Sequence, residues 1–179
     1  MQVDGSNTAT TVVVMGVSGS GKTTVAELLA ERLDWEFAEG DDFHPAANVE
    51  KMRSGTPLDD EDRWPWLRRI AELIGEHEAA GTSLVLTCSA LKRSYRELLR
   101  DGHPSVWFAH VTADADLLRQ RVQSRAGHYM PPSLLDSQLA TLERLGDDEP
   151  GDVIAGDGPL EQSVGELLVD LRRERALQS

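Results

Sequence analysis

Residues 12–33 read VVVMGVSGSGKTTVAELLAERL, and this stretch decides the fold. The β-branched run over residues 11–15 predicts a buried strand. Apolar residues then recur at the spacing of a helix with one buried face, namely Ala26, Leu29, Ala30 and Leu33. Between strand and helix, residues 16–23 match G-x-x-x-x-G-K-[ST], in which glycines let backbone N–H groups approach phosphate oxygens. Because strand and helix flank the motif, a nucleotide-phosphate site is favoured over a glycine-rich turn without a ligand.

The residues of this loop have separate expected tasks. Lys22 would span the β- and γ-phosphates of a nucleotide, and Thr23 would hold Mg²⁺. The helix that begins near Lys22 would add the positive end of its dipole. The predicted nucleotide-binding residues of the loop are Gly16, Ser18, Gly19, Ser20, Gly21, Lys22, Thr23 and Thr24.

Short apolar strands and helical periods alternate along the rest of the chain. The further predicted strands are WEFAE (35–39), LVLTC (84–88), VWFAHV (106–111) and DVIA (152–155). Strands too apolar to face water, alternating with helices, predict a three-layer α/β fold with a parallel sheet covered on both faces. We expect a flexible N-terminus over residues 1–10 and a single domain over residues 11–175. Within this domain, residues from about 40 to 80 would form a segment outside the sheet that binds the molecule accepting the phosphate.

Composition limits the partners of the protein. The 179 residues carry a net charge of −13, which argues against nucleic acid or an anionic membrane as a partner. No run approaches the ~18 apolar residues of a membrane span, and the polar start MQVDGSNTAT has no secretory pattern. Cys88 is the only cysteine, so no intramolecular disulfide is available. We therefore expect a cytoplasmic protein.

Several classes of nucleotide-binding protein share this loop. A GTPase would carry N-K-x-D, which is absent, and the D-x-x-G match at residues 148–151 follows a helix rather than a strand beside the loop. An ATPase motor would have an acid after an apolar strand, whereas LVLTC is followed by Ser89 and Ala90. Asp41, after the second strand, becomes the candidate acid, because α/β sheets bind ligands at the carboxyl edge.

Residues 39–67, EGDDFHPAANVEKMRSGTPLDDEDRWPWL, hold more polar groups than a core needs. His44, Asn48 and Lys51 share one helical face, where a hydroxyl-rich anion would find donors. The alternative is an ordinary solvated helix face.

The acidic run at residues 59–62 predicts the start of a further helix. Asp62 would lie near its cap, and Pro65 would fall in the first turn. Arg63 is either an ion-pair partner of the acidic run or a fork for a substrate carboxylate.

Residues 88–100, CSALKRSYRELLR, form a basic helix start in an acidic protein. Ser89 and Lys92 would lie at the carboxyl edge of the sheet, close to the phosphate loop, and we expect both to bind a ligand. Arg100 is expected to face solvent.

A lid is predicted over about 122–134. Arg121 and Arg125 lie one helical turn apart and suit a lid that closes over ATP and offers positive charge to the transferring phosphoryl group. Gln138 interrupts an apolar stripe, and a buried glutamine needs a hydrogen-bond partner, for which a polyol substrate is one candidate.

From about residue 12 to 172 the chain resembles gluconate kinases, small P-loop kinases related in fold to shikimate and nucleoside-monophosphate kinases. The resemblance rests on GVSGSGKTT, on GDDFHPAANVEKMRSGTPLDDEDRWPWL, on CSALKRSYRELLR and on RAGHYMPPSLLDSQLATLERL. The patterns G-D-x-x-H-P-x-x-N-x-x-K-M and S-A-L-K-[RK] are specific to that family. The resemblance implies transfer of phosphate from ATP, with Mg²⁺, to the 6-hydroxyl of D-gluconate, and it suggests a homodimer.

The resemblance also implies residue roles. Asp41 would accept a hydrogen bond from the attacking hydroxyl and contact Mg²⁺ through water, while Lys22 and Arg125 would neutralise charge on the γ-phosphate. Adenine contacts would lie near Arg121. The residues expected to hold gluconate are Asp41, His44, Arg63, Ser89, Lys92, His128 and Gln138.

Two other functions remain open at this stage. A kinase of another small acceptor, such as shikimate or a nucleoside monophosphate, would want a hydroxyl-poor or base-stacking pocket. A regulatory module that binds ATP without turnover should have lost Lys22, Thr23 or Asp41, and all three are present.

Overall fold

The computed structural model describes residues 8–124 and 131–177. Its strands are β1 (Thr11–Met15), β2 (Glu36–Glu39), β3 (Leu84–Thr87), β4 (Val106–Thr112) and β5 (Gly151–Ala155). They form one parallel sheet in the order β2-β3-β1-β4-β5. Each strand predicted from the sequence is confirmed to within one residue at either end. Because all five strands run in the same direction, their carboxyl ends meet at one edge, where the phosphate loop follows β1.

Seven helices occupy the described ranges. They are α1 (Lys22–Leu33), α2 (Ala46–Arg53), α3 (Asp60–Ala80), α4 (Arg93–Arg100), α5 (Ala115–Ser124), α6 (Ser133–Thr141) and α7 (Leu160–Leu177). A 3₁₀ turn, Gly40–Phe43, links β2 to α2. The predicted α/β class is confirmed.

The sheet has a hydrophobic cluster on each face, as the alternation of side chains along β1 requires. Val13 and Met15 face α3, α4, α5 and α6, while Val12 and Val14 face α1 and α7. All four of these side chains are completely buried. The sheet is therefore covered on both faces, which explains why β1 is apolar at every position.

The start of α3 differs from the prediction. The cap is Asp59, not Asp62, because the Asp59 side chain accepts a hydrogen bond from the Asp62 N–H while the Asp62 carboxylate accepts one from the Asp59 N–H. Pro65 consequently lies inside the helix, beyond its first turn. There it removes one donor from the helical ladder.

β5 is one of the two edge strands, and within it only Ile154 is buried. None of the helices in the described ranges is long and apolar enough to cross a membrane.

Two predicted segments lie mostly or partly outside the described residues. They are the N-terminal tail, through residues 1–7, and the middle of the lid, through residues 125–130.

Candidate active site

A cavity of about 510 Å³ lies at the carboxyl edge of the sheet. The phosphate loop and the start of α1 line one side of it, through Ser18, Gly19, Gly21, Lys22 and Thr23. Residues of the polar segment 39–67 also line it, among them Asp41, His44 and Arg63. The structure therefore brings two predicted groups of residues, which are separate in the sequence, to one cavity.

The phosphate loop has the backbone geometry that its glycines permit. Gly16, Gly19 and Gly21 have φ values of 142°, 81° and 99°, which side chains rarely tolerate. A Cβ on Gly16 would lie 2.6 Å from the Val111 carbonyl oxygen. Lys22 Nζ donates to the Val17 carbonyl at 3.0 Å, so this side chain curls over the loop. Glycine is thus required at these positions of the turn.

Gln138 and Arg121 each form hydrogen bonds with this loop. The Ser18 N–H donates to Gln138 Oε1 at 2.7 Å, which ties α6 to the loop. Arg121 donates to the Gly19 carbonyl at 3.1 Å and to the Gly156 carbonyl at 3.0 Å. Gln138, expected to be a buried glutamine that needs a hydrogen-bond partner, is only partly buried and accepts from the loop through its side-chain carbonyl. It still lines the cavity.

Glu39 is a site residue that the sequence interpretation missed. Thr23 Oγ1 donates to Glu39 Oε2 at 2.9 Å, and the Thr87 hydroxyl donates to the other carboxylate oxygen. Glu39 is the last residue of β2, on the same edge as Asp41 and two positions before it. Its position at the end of a predicted strand could have identified Glu39 from the sequence as a residue at the ligand-binding edge. A carboxylate beside the Thr23 hydroxyl forms an oxygen-rich corner of the kind that binds Mg²⁺.

Asp41 borders the cavity from the 3₁₀ turn that follows β2. The turn is pressed against β3, because a Cβ on Gly40 would lie 1.9 Å from the Thr87 carbonyl oxygen. Gly40 also donates from its N–H to Thr87 Oγ1 at 3.1 Å. The Asp41 side chain is 42% exposed, so its carboxylate is accessible from the cavity.

His44 is buried beside Asp41, with Nε2 at 3.8 Å from Asp41 Oδ1. Its ring stacks on Trp66 at a centroid distance of 4.1 Å and an interplanar angle of 16°. Burial, together with the positive charge of Arg63, lowers the pKa of His44 to about 4. The imidazole is therefore neutral at physiological pH.

Asn48 and Lys51 do not line the cavity. Asn48 Nδ2 donates to the Asp62 carbonyl at 2.9 Å, and Lys51 Nζ pairs with Asp62 Oδ2 at 2.6 Å. Of the helical face expected to hold donors for an anion, only His44 borders the cavity. The other two residues attach α2 to the start of α3.

Arg63 is 9% exposed and borders the cavity. Its Nη1 donates to Tyr95 Oη at 2.9 Å, and its guanidinium lies over the Tyr95 ring at 5.5 Å. In residues 8–124 and 131–177, no carboxylate forms an ion pair with it. Of the two roles considered for Arg63, partner of the acidic run or fork for a substrate carboxylate, the geometry favours the second.

Ser89 borders the cavity, whereas Lys92 does not. Lys92 Nζ pairs with Asp60 Oδ1 at 3.0 Å in a separate depression that shares Leu58 and Arg63 with the cavity. Lys92 was expected to bind a ligand directly, but its ammonium group is paired with Asp60 and does not border the cavity.

Two other predicted site residues, Arg125 and His128, lie outside the described residues.

The comparisons with known proteins agree with this geometry. A family model described as an AAA domain matches residues 12–145. The structure of a sugar kinase from Janibacter sp. HTCC2649 is similar with a TM-score of 0.88 and 52% identity, covering 92% of this chain and 95% of that one. A gluconokinase structure from Sinorhizobium meliloti 1021 has a TM-score of 0.83 and 42% identity, covering 96% of this chain and 98% of that one.

The fold and the cavity define a P-loop kinase with the type of fold found in shikimate kinase. A curated gluconokinase from Gluconobacter oxydans (strain 621H) is 53% identical over 163 residues, which are 91% of this chain and 92% of that protein. The chain belongs to the gluconokinase family.

Proposed function

We propose that this chain transfers the γ-phosphoryl group of ATP to the 6-hydroxyl of D-gluconate, giving 6-phospho-D-gluconate and ADP. The proposal rests on one observation about Arg63. Its guanidinium is buried, borders the cavity and forms no ion pair in the described part of the chain. A buried charge is costly unless it is paired, and a carboxylate matches the guanidinium fork. A sugar acid would supply that carboxylate.

The nucleotide would lie along the phosphate loop, with its phosphates against backbone N–H groups of the loop and the start of α1. Lys22 would leave the Val17 carbonyl and contact the β- and γ-phosphates. The Thr23 hydroxyl and the carboxylates of Glu39 and Asp41 are hard oxygen donors that fit Mg²⁺. When bound, Mg²⁺ would neutralise charge that develops on the phosphate oxygens.

The acceptor would span the cavity from Arg63 to Asp41. Arg63 would bind the carboxylate, and the hydroxyls would contact His44, Ser89 and Gln138, which all border the same cavity. Asp41 would accept the hydrogen bond of the attacking 6-hydroxyl. Alignment matters more than the basicity of Asp41, because phosphoryl transfer has a loose transition state.

Residues that do not border the cavity, or that lie outside the described residues, also have proposed roles in this reaction. Lys92 would act on the carboxylate side through Asp60 and Tyr95, which link it to Arg63. Arg125 and His128 would complete the site from the lid, and Arg121 would lie near adenine. A cytoplasmic location, a homodimer and the absence of a nucleic-acid partner stay predictions.

The test is ADP release with ATP and Mg²⁺ against D-gluconate, related aldonates, neutral D-glucose, shikimate and AMP. We expect strong turnover with gluconate and little with glucose, which lacks the carboxylate. Turnover with shikimate or AMP but not gluconate would overturn the acceptor assignment. Silence with every acceptor, despite ATP binding, would favour a regulatory module.

Arg63→Gln tests the carboxylate anchor, with Arg68→Gln on the exposed side of α3 as the matched control. Loss of a charge-assisted hydrogen bond should raise the KM for gluconate about 10- to 100-fold. The KM for ATP should change less than about twofold. An unchanged KM for gluconate in Arg63→Gln would place the carboxylate elsewhere.

A further inference from the structure

Trp66 fixes the plane of the His44 ring. Its indole stacks on the imidazole, is 2% exposed, and donates from Nε1 to the Gly40 carbonyl at 2.8 Å. Gly40 directly precedes Asp41 in the 3₁₀ turn. One buried side chain of α3 thus positions both the imidazole and the backbone that carries the candidate catalytic carboxylate.

Asn48 determines which nitrogen of that ring carries hydrogen. A backbone carbonyl only accepts, so the Asn48 atom that lies 2.9 Å from the Asp62 carbonyl oxygen must be its amide nitrogen. The same nitrogen lies 3.3 Å from His44 Nδ1 and has a second hydrogen for it. Nδ1 must then present a lone pair, and in a neutral imidazole the hydrogen is on Nε2.

The Nε2 side of the ring faces Asp41. The separation of 3.8 Å between Nε2 and Asp41 Oδ1 is too long for a hydrogen bond. It does allow one hydroxyl oxygen to lie within hydrogen-bond distance of both atoms. Since His44 and Asp41 both border the cavity, a hydroxyl of the acceptor has access to that position.

We propose that Asn48 is a positioning residue that holds His44 as the Nε2–H tautomer, so that His44 donates to the attacking hydroxyl while Asp41 accepts its hydrogen. That this hydroxyl belongs to a sugar acid rests on the proposed function; the tautomer does not. Two fixed contacts direct the remaining lone pair of the hydroxyl oxygen toward the phosphate loop. As the new O–P bond forms and the bond to the leaving ADP oxygen breaks, the hydroxyl proton passes to Asp41 and His44 keeps its own.

The tautomer can be measured without any substrate. Long-range ¹H–¹⁵N correlation spectra of histidine-labelled protein at neutral pH distinguish a protonated from an unprotonated ring nitrogen, and His44→Gln identifies the His44 signals. We expect an unprotonated Nδ1 and a protonated Nε2. A protonated Nδ1 in the wild-type protein overturns the inference.

Two pairs of variants connect the tautomer to turnover. His44→Gln extends an amide donor toward the position of Nε2, whereas His44→Asn reaches only the position of Nδ1, so His44→Gln should keep a higher kcat although both lose the imidazole. Asn48→Leu should lower kcat roughly fivefold to tenfold, with the KM for ATP unchanged, because about one hydrogen bond of orientation is lost.

Lys51→Met is the matched control for Asn48→Leu, since it removes a neighbouring contact between α2 and α3 but does not touch His44. It should leave both kcat and the His44 spectrum unchanged. Equal losses in the two variants, or equal kcat in the two His44 variants, would reduce Asn48 and His44 to structural residues. If the acceptor panel identifies another substrate, the same variants measured with that substrate still decide the inference.

Discussion

Arg96 and Glu149 form a buried two-point ion pair that supports the turn before α4. Arg96 Nε lies 2.7 Å from Glu149 Oε1 and Nη2 lies 3.0 Å from Oε2, and neither side chain is more than 2% exposed. Arg96 Nη1 also donates to the Ala90 carbonyl at 2.9 Å. Ala90 has a φ of 44°, a left-handed conformation that costs a residue with a Cβ about 1–2 kcal/mol. The pair therefore holds a strained turn that brings Ser89 to the cavity.

Glu149→Gln should lower the free energy of unfolding by about 3 kcal/mol, because it leaves the Arg96 guanidinium buried without a counter-charge. Urea unfolding measures the loss. Asp148→Asn is the control, since Asp148 pairs with Arg93 on the surface and its loss should be much smaller than that of Glu149→Gln. Similar losses in the free energy of unfolding for the two variants would show that burial of the Arg96–Glu149 pair does not determine its contribution to stability.

The stabilising effect of Glu149 should depend on pH. Burial alone raises the pKa of Glu149, but hydrogen bonds from Arg96 and from the Gly146 N–H outweigh it, and the pKa lies below its ordinary value of about 4.5. The folded carboxylate thus releases its proton more readily than the unfolded one, and its contribution is complete above pH 4.5. As the pH falls through the lowered pKa, the difference in stability between wild type and Glu149→Gln should shrink. A difference that stays constant in urea titrations between pH 7 and pH 3 would contradict this.

Asp41→Asn should keep ATP binding and lose most turnover. The amide retains the size of the side chain but loses the carboxylate that aligns the attacking hydroxyl, and we expect kcat to fall about 100-fold or more. Steady-state kinetics and equilibrium binding of ATP measure the two effects separately. Glu50→Gln, on the exposed side of α2, is the control. Turnover like that of the wild type in Asp41→Asn would remove Asp41 from the mechanism.

Glu39→Gln should raise the Mg²⁺ concentration that gives half-maximal turnover by roughly tenfold, because one anionic oxygen is lost beside Thr23. The Gln carbonyl can still accept from the Thr87 hydroxyl, so this side-chain contact between β2 and β3 should persist. A Mg²⁺ titration at saturating ATP is the measurement. Glu36→Gln, at the opposite end of β2, should leave the titration unchanged. An unaltered Mg²⁺ requirement in Glu39→Gln would make Glu39 a purely structural partner of Thr23.

Lys92→Ala should raise the KM for gluconate, but by less than about fivefold and by less than Arg63→Gln does. The ammonium group contacts Asp60 rather than the cavity, and its influence passes through Tyr95 to Arg63. Kinetics with varied gluconate at saturating ATP measure it. A larger effect than that of Arg63→Gln would restore Lys92 as the direct carboxylate ligand, and an unchanged KM would make it a surface residue.

The strands and the phosphate loop were predictable because their signals are local. A β-branched run, a glycine pattern and a helical period each lie within a few residues, as in β1 and residues 16–23. The placement of Asp41 at the carboxyl edge followed from the direction of β2 alone. Arg96 was not predictable as a buried residue, because its partner Glu149 is 53 positions away and nothing near Arg96 indicates it.

The sequence by itself determined the α/β class, the phosphate loop and the set of polar residues available to an acceptor. Only the tertiary structure decided which of those residues border one cavity. Helical spacing grouped His44 with Asn48 and Lys51, yet packing against α3 left His44 at the cavity and turned the other two toward Asp62. Likewise, Gln138 meets Ser18 across 120 positions. The physical reason is that periodicity determines which residues share a face, whereas the neighbour that covers the face is chosen by packing between distant segments.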